Sequence, residues 1–140
     1  MRMVWLLVVA LVVASFTHAL AAESGSHEPG TSVEMPYLIA PVVVDGTLTA
    51  NAYVSSKVIA TSPAATIIVR DKLPFIQDAY VRDVNGTPIG KASDPSTVDV
   101  PALTARLLAD AKRVAGAGQV DSIAIIRIQV SPLRGGAGRS

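Results

Sequence analysis

The sequence predicts an α+β fold in which a small antiparallel sheet carries two helices on one face. Two segments, residues 62–85 and 100–115, have apolar side chains at helical spacing. Strand-like stretches flank them, which gives the order strand, strand, helix, helix, strand. A helix with one apolar stripe has to bury that stripe against another element. A sheet with one apolar face is the partner that this order provides.

The first 22 residues are typical of a secretory signal helix. Arg2 precedes an apolar core of about 13 residues, which is shorter than the ~20 residues that a membrane-spanning helix needs. Ala19-Leu20-Ala21 then forms a small-x-small cleavage site. Cleavage after Ala21 or Ala22 would release an exported, periplasmic domain, whereas an uncleaved segment would anchor the domain to the inner membrane. Residues 23–34 are polar and predict a flexible leader.

Composition excludes several classes of function. The chain has no cysteine, which rules out disulfides, thiolate metal ligands and a cysteine nucleophile. Without the signal, 11 basic residues balance 11 acidic ones and are scattered along the chain, so we expect no nucleic-acid surface. His27, in the leader, is then the only histidine, too few for a zinc site or a Ser-His-Asp triad. We expect neither a metal nor a cofactor.

The domain itself, residues 35–132, begins with a predicted β-hairpin. Residues 35–44 form an apolar run that we expect to be a strand buried on both faces near its end, with Pro41 at an edge or a bulge. Asp45-Gly46 is a strong hairpin signal. Residues 47–61 alternate between apolar and polar side chains, as in a strand with one buried face. The expected core-facing side chains of this strand are Leu48, Ala50, Ala52, Val54, Val58 and Ala60.

Residues 62–85 predict the helix around which the domain is organised. Ser62 can cap its N-terminus, with Pro63 at the first helical position, and Asn85-Gly86 is a stop signal. Pro74 lies inside the segment, which is therefore one kinked helix or two separate helices. The apolar stripe keeps its phase across Pro74, which favours one helix. The stripe consists of Val69, Leu73, Ile76, Tyr80 and Val84.

A second helix and a last strand complete the domain. The helix is expected from Asp99 or Val100 to Ala115, with Gly116 as its stop. Val120–Pro132 predicts a strand whose mostly apolar composition suggests a central position in the sheet. Residues 133–140 are Gly-rich and predict a disordered tail. On the second helix the expected apolar stripe is Val100, Leu103, Leu107, Ala111 and Val114, and the expected solvated face is Arg106, Asp110 and Arg113.

No stretch of the chain carries a recognisable catalytic set. Asp71 and Asp78 lie one heptad apart on the polar face of the first helix. Asp78 precedes Arg82 by four residues, which is the spacing of a solvated ion pair. Ser56 and Lys57 are neighbours on a strand and therefore face opposite ways. We expect no enzymatic activity.

Three large apolar residues outside the expected core form a candidate interaction surface. Phe75 and Ile68 lie off the main stripe of the first helix, and Tyr53 breaks the alternation of the second strand. Either the kink at Pro74 turns Phe75 into the core, or Phe75 marks a contact face for a partner subunit. The candidate surface is therefore Phe75, Ile68 and Tyr53.

Three stretches together resemble the periplasmic domain of the flagellar basal-body-associated FliL family. The first, residues 35–60 (MPYLIAPVVVDGTLTANAYVSSKVIA), is similar to the entry strand and long second strand of the family. Residues 70–86 (RDKLPFIQDAYVRDVNG) are similar to its helix with an apolar-Pro-x-Ile/Leu-x-Asp pattern. The helix at 100–115 and the following VDSIAIIRIQVSP are similar to its final helix and closing strand. The resemblance lies in these patterns and carries no functional residue over to this chain.

The resemblance implies a fold related to stomatin-type domains, which assemble into rings, and a non-enzymatic role beside the flagellar motor. Family members usually have a cytoplasmic tail and a true membrane span, whereas here three residues precede a short apolar core. We expect an exported scaffold that forms homo-oligomers and contacts envelope proteins, with motor and stator components among them. The alternative is a periplasmic small-ligand binding module with a groove between sheet and helices.

Overall fold

The computed structural model describes residues 30–134 of the 140-residue chain. These residues form a four-stranded antiparallel sheet with two helices, which confirms the predicted α+β class. The predicted signal segment, most of the leader and residues 135–140 of the tail lie outside the described residues. The elements are β1 (Ser32–Glu34), β2 (Leu38–Val44), β3 (Thr47–Ala60), α1 (Pro63–Gly86), α2 (Val100–Ala115) and β4 (Val120–Pro132).

β3 is the centre of the sheet. Along one side of it, β4 pairs antiparallel from Ala60↔Val120 to Ala50↔Pro132. β2 pairs with residues 47–54 of β3, and β1 pairs with residues 57–59. Because a strand has only two sides, β1 and β2 lie end to end along the side of β3 that β4 leaves free. The sheet is therefore at most three strands wide.

Two predictions about the sheet are wrong. β4 has the predicted bounds, but it is an edge strand, since within residues 30–134 it pairs with β3 alone. Its first half is buried under the helices, at Val120 and Ile123, and its second half is mostly exposed. The leader, predicted to be flexible through residue 34, ends in β1, where Val33 is buried and pairs with Val58.

The hairpin between β2 and β3 forms as predicted. Asp45 and Gly46 both have positive φ, 50° and 76°, which is the backbone of a type I′ turn. A bulge between Val42 and Val43 shifts the register just before this turn. Leu48, predicted to face the core, pairs with Val43 beyond the bulge and is 44% exposed.

α1 and α2 pack on the same face of the sheet and on each other. α1 is continuous across Pro74, so the two-helix alternative is wrong. Pro74 and Arg70 are both exposed, which places the carbonyl that Pro74 leaves without a donor on the solvent side. The alanines of β3 are small enough to let a helix approach closely. The buried residues of the two predicted stripes are Val69, Ile76, Tyr80, Val84, Leu103, Leu107 and Ala111.

Both helices begin at the predicted caps. The Ser62 Oγ accepts a hydrogen bond from the backbone N–H of Ala65 at 3.0 Å. The Asp99 Oδ1 accepts one from the backbone N–H of Ala102 at 3.1 Å. These bonds satisfy donors that the first turn of a helix leaves without a partner.

Arg106 joins the C-terminal end of α1 to α2. The sequence predicted Arg106 on a solvated face, and this prediction is wrong. Its guanidinium is 2.7 Å from the Asp83 carboxylate, and the two side chains are only 24% and 20% exposed. It also donates hydrogen bonds to the backbone carbonyls of Asp83, Thr87 and Pro88. The carbonyls at a helix C-terminus lack intrahelical donors and carry partial negative charge. Arg106 therefore satisfies and neutralises the end of α1.

We expect Arg106→Ala to lower the free energy of unfolding by about 2–4 kcal/mol, because it leaves the half-buried Asp83 carboxylate without its partner and the Thr87 and Pro88 carbonyls without the guanidinium donor. Arg82→Ala is the matched control, since Arg82 pairs with Asp78 at 2.9 Å while both side chains stay exposed. The control should cost less than about 1 kcal/mol. Urea denaturation measures both, and equal losses would contradict the role given to Arg106.

Hydrogen bonds between its own residues hold the loop between α1 and α2 in a compact conformation. Gly90 and Val98 form an antiparallel bridge. The Asp94 carboxylate accepts hydrogen bonds from the Ser96 and Thr97 hydroxyls, both at 2.6 Å, and these bonds hold the pKa of Asp94 below its ordinary value. A Cβ atom on Gly90 would collide with the backbone carbonyl of Pro95.

Gly90→Ala should therefore lower the free energy of unfolding by about 1–3 kcal/mol, since backbone and not a flexible side chain has to move. Gly86→Ala is the control, because a Cβ at Gly86 meets open space and alanine favours the helix end. Thermal unfolding of the two variants gives the comparison. A wild-type midpoint for Gly90→Ala would mean that the loop has room to spread.

Candidate interaction surface

Two surfaces of the domain each group several exposed apolar side chains. One is the α1 surface, which we define as Ile67, Ile68, Pro74 and Phe75. The other is the outer sheet face, the face away from the helices, which we define as Tyr37, Ile39, Tyr53 and Gln129. On these two surfaces the exposed fractions of the large apolar side chains are Ile67 69%, Ile68 39%, Phe75 61%, Tyr37 73%, Ile39 52% and Tyr53 38%.

The α1 surface consists of two apolar pairs one heptad apart. Ile68 and Phe75 lie on the same side of α1, about 10 Å apart along its axis. The Lys72 Nζ lies 5.6 Å from the centroid of the Phe75 ring, within the range of a cation–π contact. The expectation that Phe75 turns into the core is wrong. Because α1 stays helical across Pro74, Phe75 keeps its angular position outside the buried stripe.

The outer sheet face is built on Tyr53. Ala52 and Val54, its neighbours on β3, are fully buried against the helices, so the alternation of a strand puts Tyr53 on the other face. Tyr53 pairs in register with Ile39 of β2 and Gln129 of β4. Tyr53 is therefore on the opposite side of the sheet from Phe75 and Ile68, and the three predicted residues do not form one surface.

Tyr37 and Ile39 are exposed residues that the sequence interpretation missed. The prediction of burial on both faces concerned the end of residues 35–44, where Val42 is buried and Val43 and Val44 are half-buried, and it left the beginning of the segment open. The signal was the alternation Tyr37-Leu38-Ile39-Ala40, in which Leu38 and Ala40 are buried and the residues between them are not. The segment also contacts α1, since Gln77 Nε2 donates a hydrogen bond to the Tyr37 carbonyl at 3.3 Å. A cleft of about 300 Å³ is lined by Tyr37, Tyr53 and Gln129.

A polar cleft of about 320 Å³ lies between α1 and α2 and is lined by charged residues of both helices. Its charges are paired: Asp78 with Arg82 at 2.9 Å, and Asp110 with Arg113 at 2.6 Å. Asp83, also in the cleft, is held by Arg106. The cleft is therefore close to neutral and offers little net attraction to an anion or a cation.

The Tyr80 hydroxyl is buried in the same region and has no hydrogen-bond partner among the described residues; the same holds for the Oδ2 atom of Asp110. Burial, and secondarily the charge of Asp110, raise the pKa of Tyr80 well above its ordinary value. Tyr80 therefore stays neutral and serves the core through its ring.

Tyr80→Phe removes an unpaired buried hydroxyl and keeps the ring. We expect this variant to leave the free energy of unfolding unchanged or to raise it by up to about 1 kcal/mol. Tyr80→Ala, which also removes the ring, should cost about 3–5 kcal/mol. Chemical denaturation separates the two. A clear loss of stability in Tyr80→Phe would show that the hydroxyl has a partner in solution.

Of the residues considered for catalysis, Ser56 and Lys57 line one cleft of about 260 Å³ together with Glu34, and the two aspartates lie elsewhere. Ser56 is buried and its Oγ lacks a hydrogen-bond partner within the described part of the chain, while Lys57 pairs with Glu34 at 3.3 Å. Asp71 and Asp78 are both exposed on α1, and His27 lies outside the described residues. Between residues 30 and 134 no group of three or more His, Cys, Asp or Glu side chains could hold a metal ion. Over the same range, neither helix combines the length and apolar character needed to span a bilayer.

No protein-family model matches the chain, and comparison with curated proteins gives no significant match. The functional interpretation therefore depends on the two exposed surfaces and on the residues that carry the resemblance to the FliL family. Both surfaces contain residues of the resembling stretches: Pro74 and Phe75 of the α1 surface lie in residues 70–86, and Tyr37, Ile39 and Tyr53 of the outer sheet face lie in residues 35–60.

Proposed function

We propose that this chain is a non-enzymatic, exported interaction domain of FliL type that docks on envelope proteins through the α1 surface. The observation that carries the proposal is the Phe75 ring, 61% exposed on a long helix whose opposite side is fully packed. Aromatic side chains are enriched among the anchors of protein interfaces. A rigid helix presents such an anchor at little cost in conformational entropy.

The partner of the α1 surface has a definable chemistry. Asp71 and Asp78 lie between the two apolar pairs by helical angle, and both are exposed. Asp78 is already paired with Arg82 at 2.9 Å, and Lys72 lies over the Phe75 ring, so the α1 surface has little net charge. A complementary partner therefore carries mainly apolar side chains. Docking of this kind corresponds to the contact with stator units that the FliL resemblance implies, and the signal-like segment at residues 1–22 supports a location in the periplasm or at the inner membrane.

The small-ligand alternative has a different location from the one the sequence suggested. The cleft lined by Tyr37, Tyr53 and Gln129 lies on the outer sheet face and not between sheet and helices. Its volume, about 300 Å³, is at the lower end of the range for ligand pockets. The Tyr37 side chain in its wall is itself 73% exposed and would cover little of a ligand. The α1 surface is the stronger basis for a function.

The test is recovery of partners by tagged full-length protein from cross-linked envelopes of its native host. We expect the wild type to recover motor or stator proteins. Phe75→Glu should recover much less, since loss of an interface anchor worth about 2 kcal/mol weakens binding roughly 30-fold. Tyr53→Glu is the matched control, because it places the same charge on the opposite side of the sheet.

The wild type, Phe75→Glu and Tyr53→Glu should have equal midpoints of thermal unfolding, so that a difference in recovery reflects binding and not loss of the fold. Recovery that falls with Tyr53→Glu and not with Phe75→Glu would move the docking site to the outer sheet face. A wild type that recovers neither motor nor other envelope proteins above an untagged control would contradict the proposed function.

A further inference from the structure

We infer that two copies of this chain pair with each other through the free edge of β4, antiparallel and centred on Ile128. This inference goes beyond the proposed function, because it uses another element and another partner. Docking on the α1 surface does not require it, and it does not require docking.

The first observation is that one side of β4 is unpaired over its length. Within residues 30–134, this 13-residue strand pairs with β3 alone. An edge strand presents a row of free N–H and C=O groups, which proteins usually protect with charges, prolines or bulges. β4 has a bulge at Ile126, but in the stretch from Ile126 to Ser131 Arg127 is the only charged residue.

The second observation is that this half of β4 is not covered by α2. α2 has 16 residues and is therefore about 24 Å long, the length of about seven strand residues. It leads back into β4 at Val120, so it covers β4 only to about residue 128, where the partly buried Ile128 still packs against the core. The exposure of Val130 is consistent with this limit. Val130 pairs with the buried Ala52 and therefore lies on the helix side of the sheet, but it is 42% exposed because no helix covers it. A second strand can lie along this half without meeting α2.

The third observation identifies the occupant as a second copy. The sequence Ile126-Arg127-Ile128-Gln129-Val130 has nearly the same character in both directions. In an antiparallel pair centred on Ile128, Ile128 is opposite the partner's Ile128. Ile126, the extra residue of the bulge, reaches the level of the partner's Val130 and ends the regular ladder there. Arg127 is opposite the partner's Gln129, so the single charge meets an amide acceptor and never itself. Cross-strand pairs of these kinds stabilise a sheet by about 0.2–1 kcal/mol each.

Neighbouring registers fit less well. Centring the pair on Arg127 places like charges opposite each other, which is destabilising. Centring it on Gln129 brings Pro132, which has no N–H, into the ladder opposite the partner's Ile126. The register centred on Ile128 places Arg127 opposite Gln129, and Pro132 is opposite the partner's Ala124, two residues beyond the ladder from Ile126 to Val130.

The geometry leaves the rest of the domain free. The two-fold axis is perpendicular to the sheet, so both helix layers lie on the same side. Ile123, under α2, is five residues from Ile128, which separates it from the partner's Ile123 by about 33 Å along the strands. The helices therefore do not clash, and both α1 surfaces remain exposed. An edge pair of this length covers less than the roughly 800 Å² per partner of a standard interface, so the dimer should depend strongly on protein concentration.

The absence of cysteine allows a direct test by disulfide cross-linking. In the full-length protein, Ile128→Cys places two sulfur atoms across the two-fold axis. The paired Cα atoms are then about 4.5–5.5 Å apart, within the range that a disulfide bridges. Ser131→Cys is the matched control, since its two copies are six residues apart in the proposed register, about 20 Å. Both variants are oxidised in mild detergent at several concentrations and analysed on non-reducing gels.

We expect a covalent dimer with Ile128→Cys that increases with concentration, and little or none with Ser131→Cys. A mixture of Arg127→Cys and Gln129→Cys chains should form a heterodimer more readily than either alone. Adding Val130→Lys to Ile128→Cys should reduce the dimer several-fold, because it places a charge on the pairing strand. Circular dichroism confirms that each variant is folded.

Equal cross-linking at positions 128 and 131 would overturn the inference, since it would indicate association through the N-terminal segment or without fixed register. A folded Ile128→Cys protein that forms no dimer would also overturn it. Sedimentation of the unmodified protein keeps the test independent of that variant: a monomer at every concentration contradicts the pairing. The cross-linking and sedimentation results do not affect recovery of envelope proteins through Phe75, so either proposal can be contradicted without the other.

Discussion

Pairing on both sides of β3 is the constraint on which the rest of this domain depends. β1, β2 and β4 all form their ladders with β3, and within residues 30–134 no two of them pair with each other. The alternation of β3 then assigns the two faces: Ala50, Ala52 and Val54 are buried under the helices, and Tyr53 lies on the other side. A single strand therefore determines the edges of the sheet, the side on which α1 packs and the location of the outer sheet face.

The features that sequence predicted well are those set by neighbouring residues. The caps at Ser62 and Asp99, the stop at Gly116 and the Asp45-Gly46 turn each depend on backbone and side-chain chemistry within a few positions. Helical periodicity likewise identified the buried stripes, because one helix face has one environment. The continuity of α1 across Pro74 followed from the same periodicity.

The features that sequence missed depend on contacts between distant positions. Arg106 has charged neighbours at helical spacing, so a solvated face was the natural prediction, but its partner Asp83 is 23 residues away. The apolar composition of β4 fits a central strand and also an edge strand. The two positions are distinguished only by which strands pair with β3, and these strands are distant in the sequence. For the candidate surface, sequence placed Phe75, Ile68 and Tyr53 outside the core but had no means to show that the sheet separates Tyr53 from the other two.

The order of the strands along the chain has a consequence for how the protein matures. Ala60 pairs with Val120 and Ala50 with Pro132, separations of 60 and 82 residues, and contacts between such distant positions slow folding because a large loop has to close first. A nascent chain that ends before β4 leaves half of the hydrogen-bonding capacity of its central strand unused. The native state is thus reached only after β4 has been synthesised, which leaves an interval in which the hairpin and both helices exist without the strand that completes their sheet.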